Sequence, residues 1–171
     1  MTAEAVEEPF RTQLTVRLRD GHALLGVALP EPCTFTSGNN IDILWMGPDE
    51  YLVLAEPGRQ AELEAALSRE SAALAVVDVS AQRVTVRLTG SHARDVLAHG
   101  CSIDLDPSVA PPGTCVQTLL ARTGIVLMVR EDGFTILVRQ SFSGYFKTWL
   151  ADASLEYNVI EKAEEALWLS H

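Results

Sequence analysis

Short apolar runs, broken repeatedly by turn residues, constrain this chain more than any other feature. Residues 41–46 and 51–55 flank Gly47-Pro48-Asp49-Glu50, where Pro presets φ and Asp bonds its own backbone, so a hairpin is expected. A helix over 59–69 follows, with Leu63, Ala66 and Leu67 on one face and Glu62, Glu64 and Arg69 toward water. Residues 74–79 and 83–88 read as a second strand pair, since Val84, Val86 and Leu88 alternate with Thr85 and Arg87. Its helix starts near Ser91 as cap, buries Ala93, Val96 and Leu97, and ends at Gly100, a residue suited to a left-handed cap. A third unit has a lead-in strand over 115–121, strands over 125–130 and 134–139 around Glu131-Asp132-Gly133, and a helix capped by Ser141. The fold class is therefore α+β, with mainly antiparallel sheets built from repeated hairpin-plus-helix units and helices covering one side.

Two hairpins echo each other. Leu44-Trp45-Met46 with Tyr51 beyond the turn resembles Val126-Leu127-Met128 with Phe134 beyond its turn, and a helix follows each. This suggests an internal pseudo-repeat. In the last helix Phe142, Tyr145, Phe146, Trp149 and Leu150 form a bulky apolar stripe, which serves either the chain's own core or a partner chain. Outside these units, 12–18 alternates as a strand and 21–40 shows little periodicity. The expected division is an N-terminal strand and extended arm over 1–40, an α+β domain over 41–155 and a tail over 156–171. In that tail Trp168 and Leu169 are available to dock.

The 171 residues suffice for one well-buried domain, and 47% hydrophobic against 21% charged is ample for a packed core. A net charge of −10 repels phosphate polyanions and anionic lipid, so neither nucleic acid nor a membrane is expected as a partner. Arg17, Arg19, Arg83 and Arg87 lie in alternating segments and read as solvated strand faces. Met1 to Phe10 is acidic, without the basic start and apolar run of a signal peptide, and no apolar run approaches the ~20 residues of a membrane span. A soluble, cytoplasmic protein is expected.

Catalytic patterns are scarce. Ser37-Gly38-Asn39-Asn40 lacks the later glycines and the Lys of a phosphate loop, and Ser141-Phe142-Ser143-Gly144 is not a nucleophile elbow. Cys33, Cys101 and Cys115 are too widely spaced for a zinc knuckle, and Cys101 and Cys115 read as buried and inert. His92 and His99 stand seven apart on one helix, beyond the i, i+4 spacing of shared ligation, and His22 and His171 are scattered, so no metal site is expected. Asp104 and Asp106, with Asp95 upstream, are open to two readings: turn caps before Pro107, or acid/base groups if one of them is desolvated.

Several of these segments carry a resemblance. Asp78-Val79-Ser80, Gly90 opening a helix with Leu97, Asp104, Pro112-Gly113, Thr118 and Arg130-Glu131-Asp132-Gly133-Phe134 resemble the folate domain of the aminomethyltransferases, the glycine-cleavage T-proteins. There Asp104 matches an acidic residue beside the folate and its one-carbon unit. The chain departs from that pattern where Ser102-Ile103-Asp104 stands for Thr-Asn-Asp, where Ala81 stands for the His after Asp-Val-Ser, and in two extra residues before Pro112. It is also about half that enzyme's length.

A fuller resemblance, over about residues 44–153, is to the gamma subunits of heterotetrameric sarcosine oxidases, of the same superfamily. It adds Met46-Gly47-Pro48-Asp49-Glu50-Tyr51, Gly100-Cys101-Ser102-Ile103-Asp104-Leu105, Thr114-Cys115 and Arg139-Gln140-Ser141-Phe142. It implies a structural subunit beside alpha, beta and delta chains, packed chiefly against alpha, in a complex that oxidatively demethylates sarcosine to glycine and yields hydrogen peroxide. That complex carries FAD, covalent FMN and NAD and uses tetrahydrofolate as formaldehyde acceptor. All of these lie on other subunits, so the resemblance implies no catalytic or cofactor-binding residue here. A gamma subunit of a related N-methyl amino acid dehydrogenase, for instance one acting on N-methylglutamate, and a stand-alone folate-dependent enzyme using Asp104 are the alternatives. A subunit of this kind should expose apolar surface when alone, contributed by the arm before Asn40 and the Trp149 or Trp168 regions.

Overall fold

The computed structural model describes residues 3–70 and 72–168, those from 158 onward by backbone alone. In chain order the elements are β1 (Glu4–Glu7), β2 (Thr12–Leu18), β3 (Ala23–Leu24), β4 (Val27–Ala28), β5 (Phe35–Gly38), β6 (Ile41–Gly47) and β7 (Glu50–Ala55). There follow α1 (Gln60–Leu67), β8 (Ala73–Asp78), β9 (Arg83–Thr89), α2 (Ala93–Ala98), β10 (Cys115–Leu120), β11 (Thr123–Arg130), β12 (Gly133–Arg139) and α3 (Ser143–Trp168). One sheet has the order β1-β9-β12-β11-β10 and the other β5-β6-β7-β2-β8, with β3–β4 as a separate small ribbon. All strand pairs are antiparallel.

The pseudo-repeat lies in this order. In each sheet a hairpin (β6–β7 or β11–β12) sits between an earlier strand at the edge (β5 or β10) and the strand that opens the unit (β2 or β9). The fifth position differs in origin. β8 follows α1 and completes its own unit's sheet, whereas in the second unit the chain stays helical after β12 and the N-terminal β1 takes the corresponding place beside β9.

Strand alternation sorts the side chains into layers. One face of the first sheet buries Val86, Leu88, Leu127, Ile136 and Val138 against Val96 and Leu97 of α2 and Phe146 and Leu150 of α3. One face of the second buries Leu14, Val16, Ile43 and Val53 against Leu63 and Leu67 of α1 and against Leu24 and Val27 of the ribbon. Between the sheets, Leu44, Leu52 and Leu54 meet Cys115, Val126, Met128 and Leu137. Each sheet thus has one helix-covered face, and the opposite faces pack on each other. Each fully buried Leu, Val or Phe here contributes about 1.5–3 kcal/mol by leaving water.

Several expectations are corrected. Residues 73–78 and 83–89 are both strands, but they do not pair: β8 joins β2 and β9 joins β12 and β1, in different sheets. The reason lies in Asp78-Val79-Ser80. Ser80 Oγ donates to Asp78 Oδ1 (2.5 Å) and accepts the Gln13 N–H (2.9 Å), fixing a 3-10 crossover from one sheet to the other instead of a hairpin turn. Residues 21–40 are no extended arm, because Leu24 and Val27 are core residues and β5 pairs with β6. Two-residue strands are too short to show a period. α3 runs unbroken through the expected start of a tail at 156. The docking roles expected of the Trp168 side chain and of Leu169 lie outside the described residues.

Helix starts differ too. His92 is the cap position of α2 and makes no side-chain capping bond, while Ser141 lies inside a 3-10 turn ahead of α3. Gly100 does not adopt the left-handed conformation. It is close approach that restricts this position: a Cβ there would stand 2.7 Å from Trp149 Cζ2 and 3.1 Å from the Ala121 nitrogen.

Candidate functional site

Asp104 is exposed, and its Oδ1 accepts the Asp106 N–H at 2.9 Å. Asp106 repeats the motif one step on, accepting the Ser108 N–H (2.9 Å) and hydroxyl (2.5 Å), which hold its carboxyl below the usual carboxylate range. Both carboxylates therefore cap turns of the surface loop between α2 and β10, as the first of their two readings has it. Asp95 binds His92 Nδ1 at 2.9 Å. Asp104 stands exposed on this loop, without the burial that would desolvate a carboxylate.

His92 and His99 are engaged in structural contacts. His92 stacks on Tyr157, with ring centroids 4.9 Å apart, and His99 Nε2 lies 2.8 Å from the Tyr157 hydroxyl, so α2 and α3 are tied by an aromatic cluster. Among the described residues no group of His, Cys, Asp and Glu converges as a metal site would. Cys115 is buried and its thiol is pushed up to about 12, chiefly by desolvation, so it stays protonated and unreactive at neutral pH. No described helix is long and apolar enough to cross a membrane.

The most enclosed ion pair lies between the sheets. Around the apolar centre of that face, Arg130 of β11 crosses to Asp42 of β6 in a two-pronged ion pair, with Nη2–Oδ2 2.5 Å and Nη1–Oδ1 3.3 Å. Its guanidinium also lies over the Phe35 ring, 4.7 Å from the centroid. Arg87 binds Asp132 and donates to Thr135 Oγ1 at 3.1 Å. At the other end of the face the register sets Arg83 of β9 directly opposite Arg139 of β12. Among the described residues neither forms an ion pair. Arg83 is half-buried rather than solvated, and desolvation, followed by Arg139, lowers its pKa.

The sequence reading missed Asp42 and Arg139. An aspartate inside the apolar run Ile41-Asp42-Ile43-Leu44 is itself a sign of a buried charge needing a cation. The signal for the arginine pair is that neither β9 nor β12 contains an acidic residue.

Apolar exposure also falls elsewhere than expected. Residues before Asn40 contribute chiefly Phe10 and Val6, while Leu24 and Val27 are buried and Trp149 is half-buried on Gly100. Phe142 in the 3-10 turn ahead of α3, Tyr145 and Leu155 on α3, Leu74 and Val77 on β8, and Leu119 on β10 are about half exposed. The aromatic stripe thus divides: Phe146 and Leu150 of α3 fill the core, while Phe142 in the preceding 3-10 turn and Tyr145 at the start of α3 face outward, Tyr145 with its hydroxyl on the Ala121 carbonyl (2.7 Å).

Comparison with known proteins identifies close similarity across nearly the whole chain. Residues 17–156 match the pattern of the Sarcosine oxidase, gamma subunit family. Sarcosine oxidase subunit gamma of Corynebacterium sp. strain U-96 is 36% identical over 169 residues, covering 92% of this chain and 82% of that protein. The Arthrobacter subunit gamma is 34% identical over 171 residues, covering 91% and 83%. Among solved structures, a chain of the heterotetrameric sarcosine oxidase from Corynebacterium sp. U-96, in complex with pyrrole 2-carboxylate, superposes with a TM-score of 0.75. It is 31% identical and covers 91% of this chain and 85% of its own length.

Proposed function

The chain belongs to the sarcosine oxidase gamma subunit family, and from that membership we propose that it serves as the gamma subunit of a heterotetrameric sarcosine oxidase, an oxidoreductase to which it brings no reacting group. The observation that carries the non-catalytic part of this reading is Asp104. It is the one carboxylate the folate-domain resemblance assigns to chemistry, and it spends its oxygen on a surface turn. The half-exposed apolar side chains on α3, β8 and β10 support a role in packing against other subunits.

In this reading the partners are alpha, beta and delta subunits, chiefly alpha, in a cytoplasmic complex converting sarcosine to glycine with hydrogen peroxide and a formaldehyde equivalent passed to tetrahydrofolate. In this reading FAD, FMN, NAD and tetrahydrofolate belong to the other chains. Asn39 and Asn40 have positive φ in a hairpin turn that leads into β6, so the Ser37-Gly38-Asn39-Asn40 segment offers a phosphate no helix N-terminus. A likeness to the aminomethyltransferase folate domain is kept in this reading as a proposal, on the sequence motifs Asp78-Val79-Ser80, here at the crossover, and Pro112-Gly113, here leading into β10.

The test is purification of the tagged chain from its own cells at moderate salt, with mass analysis and an absorption spectrum. Three co-purifying chains and flavin absorbance are expected. A colourless chain without partners refutes the assignment.

A further inference from the structure

Arg83 and Arg139 stand opposite one another at one end of the inter-sheet face. Like charges directly across a strand pair oppose sheet formation, and this pair persists in a chain whose net charge is −10. Arg83 Nη1 is fully enclosed and donates to no acceptor, a state in which a buried polar group loses its hydration without compensation. The carboxylate whose charge most favours protonated Arg83 is Glu50, and Glu50 is bound to Arg17 at 3.0 Å.

The two guanidiniums border a cavity of about 390 Å³ floored by Val126 and Leu137, with Gln117 and the bare Gly124 beside them. Every lining residue comes from β9, β10, β11 or β12, so the cavity has a floor and sides from one sheet and no roof among the described residues. Gln117 is tied by its Nε2 to the Met46 carbonyl at 2.7 Å. Leu119, on the same lining and half exposed, lies on the edge strand β10.

We infer that this is a carboxylate site, filled by an Asp or Glu side chain of a neighbouring subunit whose chain lies across β10 and places an apolar residue on Leu119. Arg83 is half-buried and Arg139 stands exposed at the cavity rim, and among the described residues neither has a carboxylate partner, so the two planar forks are suited to one carboxylate. A small free acid needs enclosure for affinity, which a single sheet face does not supply, whereas a partner segment provides its own roof. An apolar contact beside a desolvated charge pair is the composition of an interface core. The inference rests on the gamma-subunit reading and adds to it the chemistry of one contact.

The experiment is competition inside the assembled oxidase. Wild-type gamma and Arg139→Met gamma are co-expressed in equal amount with a tagged largest subunit, and their ratio in the purified complex is read by mass spectrometry. The variant should be depleted roughly 30-fold or more, the effect of truncating one member of a buried charge pair, and Arg139→Lys should be depleted less. Thermal unfolding of the full chain alone should show Arg139→Met at least as stable as wild type, because a like-charge repulsion has gone, so the loss is not one of folding. Arg139→Glu should raise the free chain's melting temperature by pairing with Arg83 and should enter the complex least of all. Equal incorporation of Arg139→Met overturns the inference and leaves the gamma-subunit reading intact. Absence of wild-type gamma from the complex overturns that reading itself. Stabilisation of the free chain by added glutamate that Arg139→Met abolishes, with incorporation unchanged, would assign the site to a free acid and overturn the docking role.

Discussion

At one end of the inter-sheet face Arg130 and Arg87 are met by Asp42 and Asp132, and at the other Arg83 and Arg139 face each other across the strand pair with no ion pair among the described residues. All four arginines project from the same sheet onto the same side of it. The paired end joins one sheet to the other, since Asp42 is on β6, and it is closed by Ser37, whose hydroxyl donates to Asp42 at 2.5 Å. A desolvated guanidinium stabilises a fold only when a carboxylate comes with it. The fold supplies that carboxylate at the end that holds the sheets together and withholds it at the end that opens to solvent. The difference separates a structural use of arginine from a recognition use within one chain.

The sharpest way to break the paired end is at Gly133, which pairs with Thr89 and Arg130 and sets the turn carrying Asp132. Its φ is +145°, and an added Cβ would press into the Leu88 carbonyl oxygen, which belongs to rigid backbone. Gly133→Ala should cost about 3–4 kcal/mol, combining backbone strain with overpacking, read as a lower midpoint in urea unfolding of the free chain. A loss below 1 kcal/mol would mean that the turn relaxes and that Arg87 does not depend on it.

Next in size is Arg130→Met. It leaves Asp42, 12% exposed, without its cation and removes the guanidinium from Phe35. Breaking a buried pair costs about 3–5 kcal/mol, and this one is partly solvated, so about 2–3 kcal/mol is expected, a fall of about 5–10 °C in melting temperature. Adding Asp42→Leu should recover most of it, because the stranded charge is then gone. If the double variant stays as unstable as the single, the arginine acts through its stack on Phe35 rather than through Asp42.

What the sequence discloses follows the same line between local and non-local. The β6–β7 and β11–β12 hairpins are visible because Pro48-Asp49 and Asp132-Gly133 lie between alternating runs, and the echo between them survives as a shared strand order. The pairing of residues 73–78 with 83–89 is misread because adjacency suggests a hairpin. The deciding contact, Ser80 with Gln13, reaches to the far end of the chain. The ribbon at 23–28 escapes notice because its strands are two residues long, and it is placed by Leu24 and Val27 finding the core under α1. Asp104 is legible as a turn cap from its spacing to Asp106. The arginine end is not legible, since only the β9–β12 register reveals that Arg83 faces Arg139.

The smallest effect concerns Asp132 itself. The Arg87 guanidinium, by hydrogen bond and by charge, holds its carboxyl below the ordinary value of 3.8. A carboxyl lowered by folding stabilises the native state fully above its unfolded pKa, and that contribution is lost as pH falls through the lower folded value. Asp132 is 71% exposed, so the pair is worth only about 0.2–1 kcal/mol and is screened by salt. The gap in urea midpoint between wild type and Asp132→Asn should be constant from pH 7 to about 5, narrow below about 4 and close at lower pH, and it should shrink in high salt. Asp106 does not enter this difference, because its partner is Ser108 and it titrates alike in both proteins. A gap that persisted unchanged in acid would show that Asp132 supports the turn by shape rather than by charge. The paired end would then rest on Asp42 alone, one carboxylate against the two arginines, and the contrast with the open end would narrow to that single inter-sheet bridge.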